Sequence, residues 1–196
     1  MRYLLPLLLA TGCATASPSV RPEVVPPFLP SPDYDKIMHI AGRWGIAQAC
    51  PAGDRVYTAA HNIEPFLEYL GEVMPYAWED DLGNAGYLLP IEFNHARDVV
   101  RANTWGDSPM YYPIALEEVQ VGDWVTWVEY GKRHERVIRT ATVFSALAGK
   151  IYFDQTPNPG ASGSCLLNRR GAVVGVVVWG HDDHGGGEQI VGRWAL

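Results

Sequence analysis

An all-β fold is predicted for this chain of 196 residues, and three observations predict it. Twenty glycines are spread among valine-rich runs of strand length, a composition that suits short extended segments better than helices. Gly122-Asp123-Trp124-Val125-Thr126-Trp127-Val128-Glu129-Tyr130 alternates apolar and polar residues with a period of two, as a half-buried strand does. Turn chemistry falls between the runs, at Pro51-Ala52-Gly53-Asp54 and at Asp80-Asp81-Leu82-Gly83-Asn84. A hydrophobic content of 47% is ample for a buried core, and the length suits one domain.

Taken in order, Gly42 to Ala49 and Arg55 to Ala60 read as a hairpin that ends at His61, and Glu64 to Leu70 as a short helix beyond it. Tyr76 to Trp78 and Tyr87 to Phe93 flank the Asp80 turn as a second hairpin, which delivers Asp98 to the head of Val99-Val100. Gly122 to Tyr130, Val137 to Leu147, Lys150 to Phe153, Ala172 to Val178 and Gln189 to Trp194 follow as further strands. Trp124 and Trp127, three apart on a strand, project to opposite faces and serve packing.

Chemistry concentrates at three places. In Asn158-Pro159-Gly160-Ala161-Ser162-Gly163-Ser164 a serine stands between glycines on a turn between strands, where its hydroxyl can clear the backbone and nearby N–H groups can converge on a carbonyl oxygen. His61 closes Thr58-Ala59-Ala60-His61-Asn62, and imidazole is the side chain suited to take a hydroxyl proton near neutral pH. Asp98, where a polar turn meets β-branched residues, is the candidate carboxylate to orient that imidazole. Each residue alone is more often a turn or surface group. Their order, His61, Asp98, Ser162, is what argues for a catalytic set.

With these residues in place, the chain from about Ala41 onward resembles the trypsin-like (chymotrypsin-fold) serine peptidases, of the disulfide-poor bacterial type. The resemblance rests on Thr58-Ala59-Ala60-His61, on Asp98-Val99-Val100, on Asn158 to Ser164, and on Asn168-Arg169-Arg170-Gly171-Ala172-Val173-Val174-Gly175 followed by Val178-Trp179-Gly180. It implies two packed six-stranded antiparallel Greek-key barrels with the site in the cleft between them. His61 would be the general base, Asp98 its orienter and Ser162 the nucleophile, with the N–H groups of Gly160 and Ser162 as oxyanion hole. It further implies a substrate pocket near Thr156, Val178, Trp179 and Gly180, a protein or peptide substrate, and no cofactor.

Three departures from the family pattern refine the expectation. Ala161 stands where digestive members carry the aspartate that pairs with a new N-terminus, so activation by such a cut is not expected. Thr156 replaces the aspartate of tryptic pockets, which disfavours basic residues and leaves small or apolar ones. Val178 replaces a serine that supports the triad carboxylate in many relatives, so Asp98 needs another donor. That last departure motivates the alternative: a catalytically inactive peptidase-fold lipoprotein that binds or scaffolds.

The ends and cysteines complete the reading. Residues 1–16 are laid out as an export signal, Met1-Arg2, an apolar run from Tyr3 to Ala10, then small residues. That run is too short for a bilayer span of about 20 residues. Leu9-Ala10-Thr11-Gly12-Cys13 resembles a lipoprotein box with Cys13 the acylated residue; cleavage after Ala16 and an uncleaved tail are the rival readings. The expected location is outside the cytoplasm, periplasmic or extracellular, with the lipid as a membrane anchor. Residues 17–35 form a proline-rich linker, extended spacer or disordered leader, and 36–196 the peptidase domain. Cys50 and Cys165 are expected as free buried thiols, with a cross-link as the alternative. His181-Asp182-Asp183-His184 clusters metal-type ligands, but consecutive turn residues rarely converge on one ion; no metal is expected, and Gly185-Gly186-Gly187 reads as a flexible connector at the rim of the cleft. A net charge of -7 excludes a basic nucleic-acid footprint. Oligomeric state is not legible.

Overall fold

The computed structural model of the protein describes residues 34–42, 45–63, 75–130, 135–181 and 183–191. The expected helix at Glu64 to Leu70 and the N-terminal leader lie outside them. Within them, twelve strands close into two antiparallel barrels of six, the all-β architecture implied by the resemblance. The first runs around the barrel as β1 (Met38–Gly42), β2 (Gly45–Ala52), β3 (Arg55–Ala59), β6 (Val99–Gly106), β5 (Ala85–Asn94) and β4 (Tyr76–Asp80). The second runs β10 (Cys165–Leu167), β11 (Val173–His181), β12 (His184–Gln189), β9 (Lys150–Phe153), β8 (Arg136–Leu147) and β7 (Trp124–Tyr130).

Local sequence accounts for most of these elements. In β4 the alternation places Tyr76 and Trp78 inside while Ala77 and Glu79 face out. Asp80 then ends the strand: its carboxylate accepts from the N–H groups of Leu82 and Asn84 and from the Asn84 amide at 2.8–3.0 Å, which fixes the turn into β5. Pro90 has no N–H for the ladder, and the β5–β6 register slips beside it between Pro90 and Glu92. Strand β1, which the sequence reading did not separate, pairs with both β2 and β4 and closes the first barrel.

Three apolar cores result. Met38, Ile40, Val56, Trp78, Leu88 and Val100 fill the first barrel, and Val125, Trp127, Val143, Phe153 and Leu166 the second. Tyr57, Val99, Val128, Val176, Val178 and Ile190 pack between them. The valine run of β11 serves two of these cores: Val174 and Val177 point into the second barrel, while Val173, Val176 and Val178 point into the seam. A strand buried on both faces reads as continuous apolar sequence. Tyr34, in a 3-10 turn spanning Tyr34–Lys36, is also buried in the seam core, so the packed chain includes it.

Two expectations are corrected. Cys50 and Cys165 are not free thiols but a buried disulfide, with Cα atoms 4.9 Å apart at a sequence separation of 115. Packing of β10 against β2 brings the two positions face to face, which sequence separation hides. Gly185-Gly186-Gly187 is not a connector but the body of β12. A Cβ would stand 2.2 Å from the Phe153 ring at Gly185, 2.0 Å from the Trp179 ring at Gly186 and 2.3 Å from Leu166 at Gly187, so only glycine admits the strand there. The strand expected over Gln189 to Trp194 accordingly ends at Gln189, with Ile190 and Val191 buried beyond it and the remaining residues outside the described ones.

Candidate active site

The site lies where the turn after β3, the turn before β6 and the loop before β10 meet. A 3-10 turn, Ala60–Asn62, follows β3 and carries His61. Asn94 to Asp98 turn the chain from β5 into β6, with Arg97 N donating to Asn94 O and Asp98 N to His95 O. Asp98 itself adopts φ +54, a left-handed conformation that short polar side chains tolerate better than most. Its carbonyl accepts from Ala60 N at 2.9 Å, tying the two turns together.

Asp98 and His61 are paired. Asp98 Oδ2 lies 2.6 Å from His61 Nδ1, and Asp98 Oδ1 accepts from the His61 backbone N–H at 3.0 Å. An ionised carboxylate only accepts, so this geometry puts the imidazole proton on Nδ1 and leaves Nε2 with its lone pair. The backbone donor also answers the question posed by Val178. That residue is buried in the seam core, where it offers no hydrogen bond, and His61 supplies Asp98 with two.

Ser162 is held beside this pair by its backbone. The Ser162 carbonyl accepts from the Asn62 side-chain amide at 3.0 Å and from Gln48 N at 3.2 Å. Asn62 is the residue after His61, so one hydrogen bond links the histidine turn to the serine loop. Asn62 also donates to Thr58 Oγ1, which in turn donates to the Gln48 carbonyl at 2.7 Å. Gly163 has φ +88, and a Cβ there would stand 1.9 Å from the Gln48 carbonyl oxygen and 2.5 Å from Thr58 Oγ1. The serine loop therefore docks on the first barrel at a position only glycine can occupy.

The rest of the loop is pinned from both barrels. Gly160 has φ +94, and its carbonyl accepts from Gln48 Nε2 at 3.0 Å. Its N–H and that of Ser162 meet no acceptor among the described residues, whereas Ala161 N donates to Asn158 O, Gly163 N to Val177 O and Ser164 N to Ala161 O. Glu129, fully buried, accepts from Asn158 N at 3.0 Å, from the Asn158 amide at 2.6 Å, from Arg139 at 2.6 Å and from the Trp127 indole at 3.3 Å. A buried carboxylate persists when donors saturate it. Ser164 Oγ donates to the Val128 carbonyl at 2.9 Å.

Gln48, Asn62 and Glu129 escaped the sequence reading, though each leaves a trace there: a lone amide between alanines, an amide next to the histidine, and a carboxylate inside an otherwise apolar and aromatic strand. A fourth contact, between Arg97 and Glu188, had no local trace. Arg97 Nε donates to Glu188 Oε2 at 2.9 Å and an NH2 group to the Gln189 carbonyl, joining the Asp98 turn to β12. Burial pushes the Glu188 carboxyl up and the Arg97 guanidinium pulls it back.

Of the expected pocket residues, Gly180 and Thr156 lie on facing segments, while Val178 is buried in the seam core. Gly180 is exposed and faces the 155–157 segment: a Cβ there would meet Pro157 O at 3.1 Å, Pro157 Cδ at 3.2 Å and Thr156 Cγ2 at 3.3 Å. Trp179 lies over Gly186, in edge contact with Tyr152 and His184. His184 is bonded to Asp183, while the side chains of His181 and Asp182 lie outside the described residues.

No protein-family model and no curated protein matches the chain. Solved structures do. A human pathogenic astrovirus serine protease superposes with TM-score 0.64 at 17% identity, over 82% of this chain and 92% of that one. A serine endoprotease from Yersinia pestis gives 0.66 at 13% identity, over 80% of this chain and 59% of that longer one. An inactive form of a protease from M. tuberculosis gives 0.63 at 17% identity, over 80% and 84% of the two chains. Both barrels, and therefore the chymotrypsin-like fold of these serine proteases, are shared by this chain.

Proposed function

We propose that this chain is a serine endopeptidase that works through His61, Asp98 and Ser162. The observation that carries the reading is the His61 Nδ1–Asp98 Oδ2 pair at 2.6 Å, with Ser162 tethered beside it through Asn62. Asp98 holds the imidazole in the tautomer that keeps a lone pair on Nε2, and Nε2 takes the Ser162 proton as Oγ attacks the peptide carbonyl. The oxygen that gains charge is received by the N–H groups of Gly160 and Ser162, which have no competing acceptor among the described residues. Protonated His61 then gives its proton to the leaving amine, and water hydrolyses the acyl-enzyme by the same steps in reverse roles. No cofactor enters these steps.

The near contact of Gly180 with Thr156 and Pro157 supports small residues before the scissile bond, because the two walls leave little room between them. The disulfide supports an oxidising compartment, in keeping with export. Export itself, and a lipid on Cys13, are proposed on sequence alone, since those residues lie outside the described ones.

The test is covalent. Wild-type protein should react with a fluorophosphonate probe and hydrolyse an unstructured protein substrate, and Ser162→Ala should lose both. Wild-type protein that never takes up the probe, although folded, would instead favour the inactive binding or scaffold reading.

A further inference from the structure

In the serine loop, held and unheld backbone groups alternate. The N–H groups of Gly160 and Ser162 meet no acceptor among the described residues, and the peptide units that alternate with them are held at both ends. The unit joining Gly160 to Ala161 donates its N–H to Asn158 O at 3.0 Å, and its carbonyl accepts from Gln48 Nε2 at 3.0 Å. The unit joining Ser162 to Gly163 donates to Val177 O at 2.7 Å, and its carbonyl accepts from Gln48 N at 3.2 Å and from the Asn62 amide at 3.0 Å. One residue of the first barrel thus reaches two carbonyls of the loop, one with its side chain and one with its backbone.

The side-chain contact falls at the decisive unit. The peptide joining Gly160 to Ala161 lies between the two unheld N–H groups, so its orientation sets the angle at which they face each other. Gly160 is at φ +94, and glycine loses little by moving elsewhere, so hydrogen bonds rather than sterics oppose rotation of that unit. For packing, the carboxamide is a poor choice. Gln48 is fully buried, and its Oε1 is an acceptor with no donor. An unpaired buried polar atom destabilises the fold, and an unbranched apolar side chain of the same length would fill the space without that penalty. What Gln48 adds is a donor to Gly160.

We infer that Gln48 is a positioning residue of the peptidase: its carboxamide fixes the Gly160 to Ala161 unit so that the Gly160 and Ser162 N–H groups converge on the substrate carbonyl oxygen as Ser162 attacks. Donors aimed beforehand stabilise the developing charge without reorganising at the moment of reaction. Asn62 holds only the second carbonyl, so it does not replace Gln48. The inference rests on the peptidase reading above.

Gln48→Met, made in the full-length protein, removes the donor and nearly keeps the volume. Its melting temperature should equal or exceed that of wild type, because the orphaned acceptor leaves with the amide. On a peptide substrate, kcat should fall about ten- to a hundredfold with KM little changed, since the lost alignment matters in the transition state. A tripeptide aldehyde, whose hemiacetal oxygen occupies the same pair of N–H groups, should lose affinity by a similar factor. Gln48→Ala, which also opens a cavity, should be less stable than Gln48→Met and share its kcat. Wild-type kcat in Gln48→Met overturns the inference, as does a kcat deficit that deepens with instability from the methionine to the alanine variant. A methionine variant that fails to fold overturns it too, in favour of a purely structural role. Wild-type protein that neither hydrolyses peptides nor takes up a fluorophosphonate removes the peptidase reading itself, and this inference with it.

Discussion

Asp98 is the residue on which the site turns. It sits at φ +54, its carbonyl receives Ala60 N, and both carboxylate oxygens receive donors from His61. Backbone held in a sparsely populated region persists only where surroundings over-determine it, and these contacts do so. Asp98→Asn should keep the fold, because asparagine tolerates the same backbone, yet its amide can present a donor to Nδ1 and so favour the wrong imidazole tautomer. We expect kcat to fall by about 10³–10⁴-fold, with an unchanged melting temperature. A variant of near wild-type activity would remove Asp98 from the mechanism. His61, Asp98 and Ser162 were singled out in the sequence by their joint order, their placement at strand edges and the family resemblance, since each alone reads as an ordinary turn residue. Gln48 was not, because its importance lies in a carbonyl aimed at Gly163 from another element.

The elements meet through polar clamps, and the clamp with the sharpest signature is Arg97–Glu188. It ties the turn before β6 to β12, with side-chain exposures of 15% and 3%. Burial raises the Glu188 carboxyl, so its contribution to stability is present below the ordinary glutamate range and is lost as pH rises through the raised folded-state value; Arg97 limits that loss. Removing the cation leaves a carboxylate buried without its partner, at a cost of about 3–5 kcal/mol. Arg97→Ala should therefore lower the urea midpoint strongly at neutral pH and much less at mildly acidic pH, where Glu188 is protonated. An equal deficit at both pH values would show that lost packing, not charge, is responsible. Such a clamp has no sequence signature, since the two residues are 91 positions apart. The strand alternation of β7 was readable, whereas the glycines of β12 were not: three in a row resemble a linker until the rings of Phe153 and Trp179 are known to lie against them.

At the scale of the whole molecule, two barrels share one seam, and the Cys50–Cys165 disulfide crosses it. A cross-link closing a loop of this length restricts the unfolded chain far more than the folded one, and its loss costs about 2–5 kcal/mol. Replacing both cysteines by alanine should lower stability by that amount, and a reductant should lower wild-type stability to a similar level while leaving the variant unaffected. A double variant as stable as wild type would exclude the staple. The sequence by itself determined the strand class, most strand positions, and the order of histidine, aspartate and serine along the chain, because periodicity and turn chemistry are written over a few neighbouring residues. Only the tertiary structure decided that the cysteines pair, that Glu129 and Gln48 grip the serine loop, and that Arg97 meets Glu188. Those outcomes depend on barrel closure, which joins residues tens of positions apart and leaves no periodic trace in the chain.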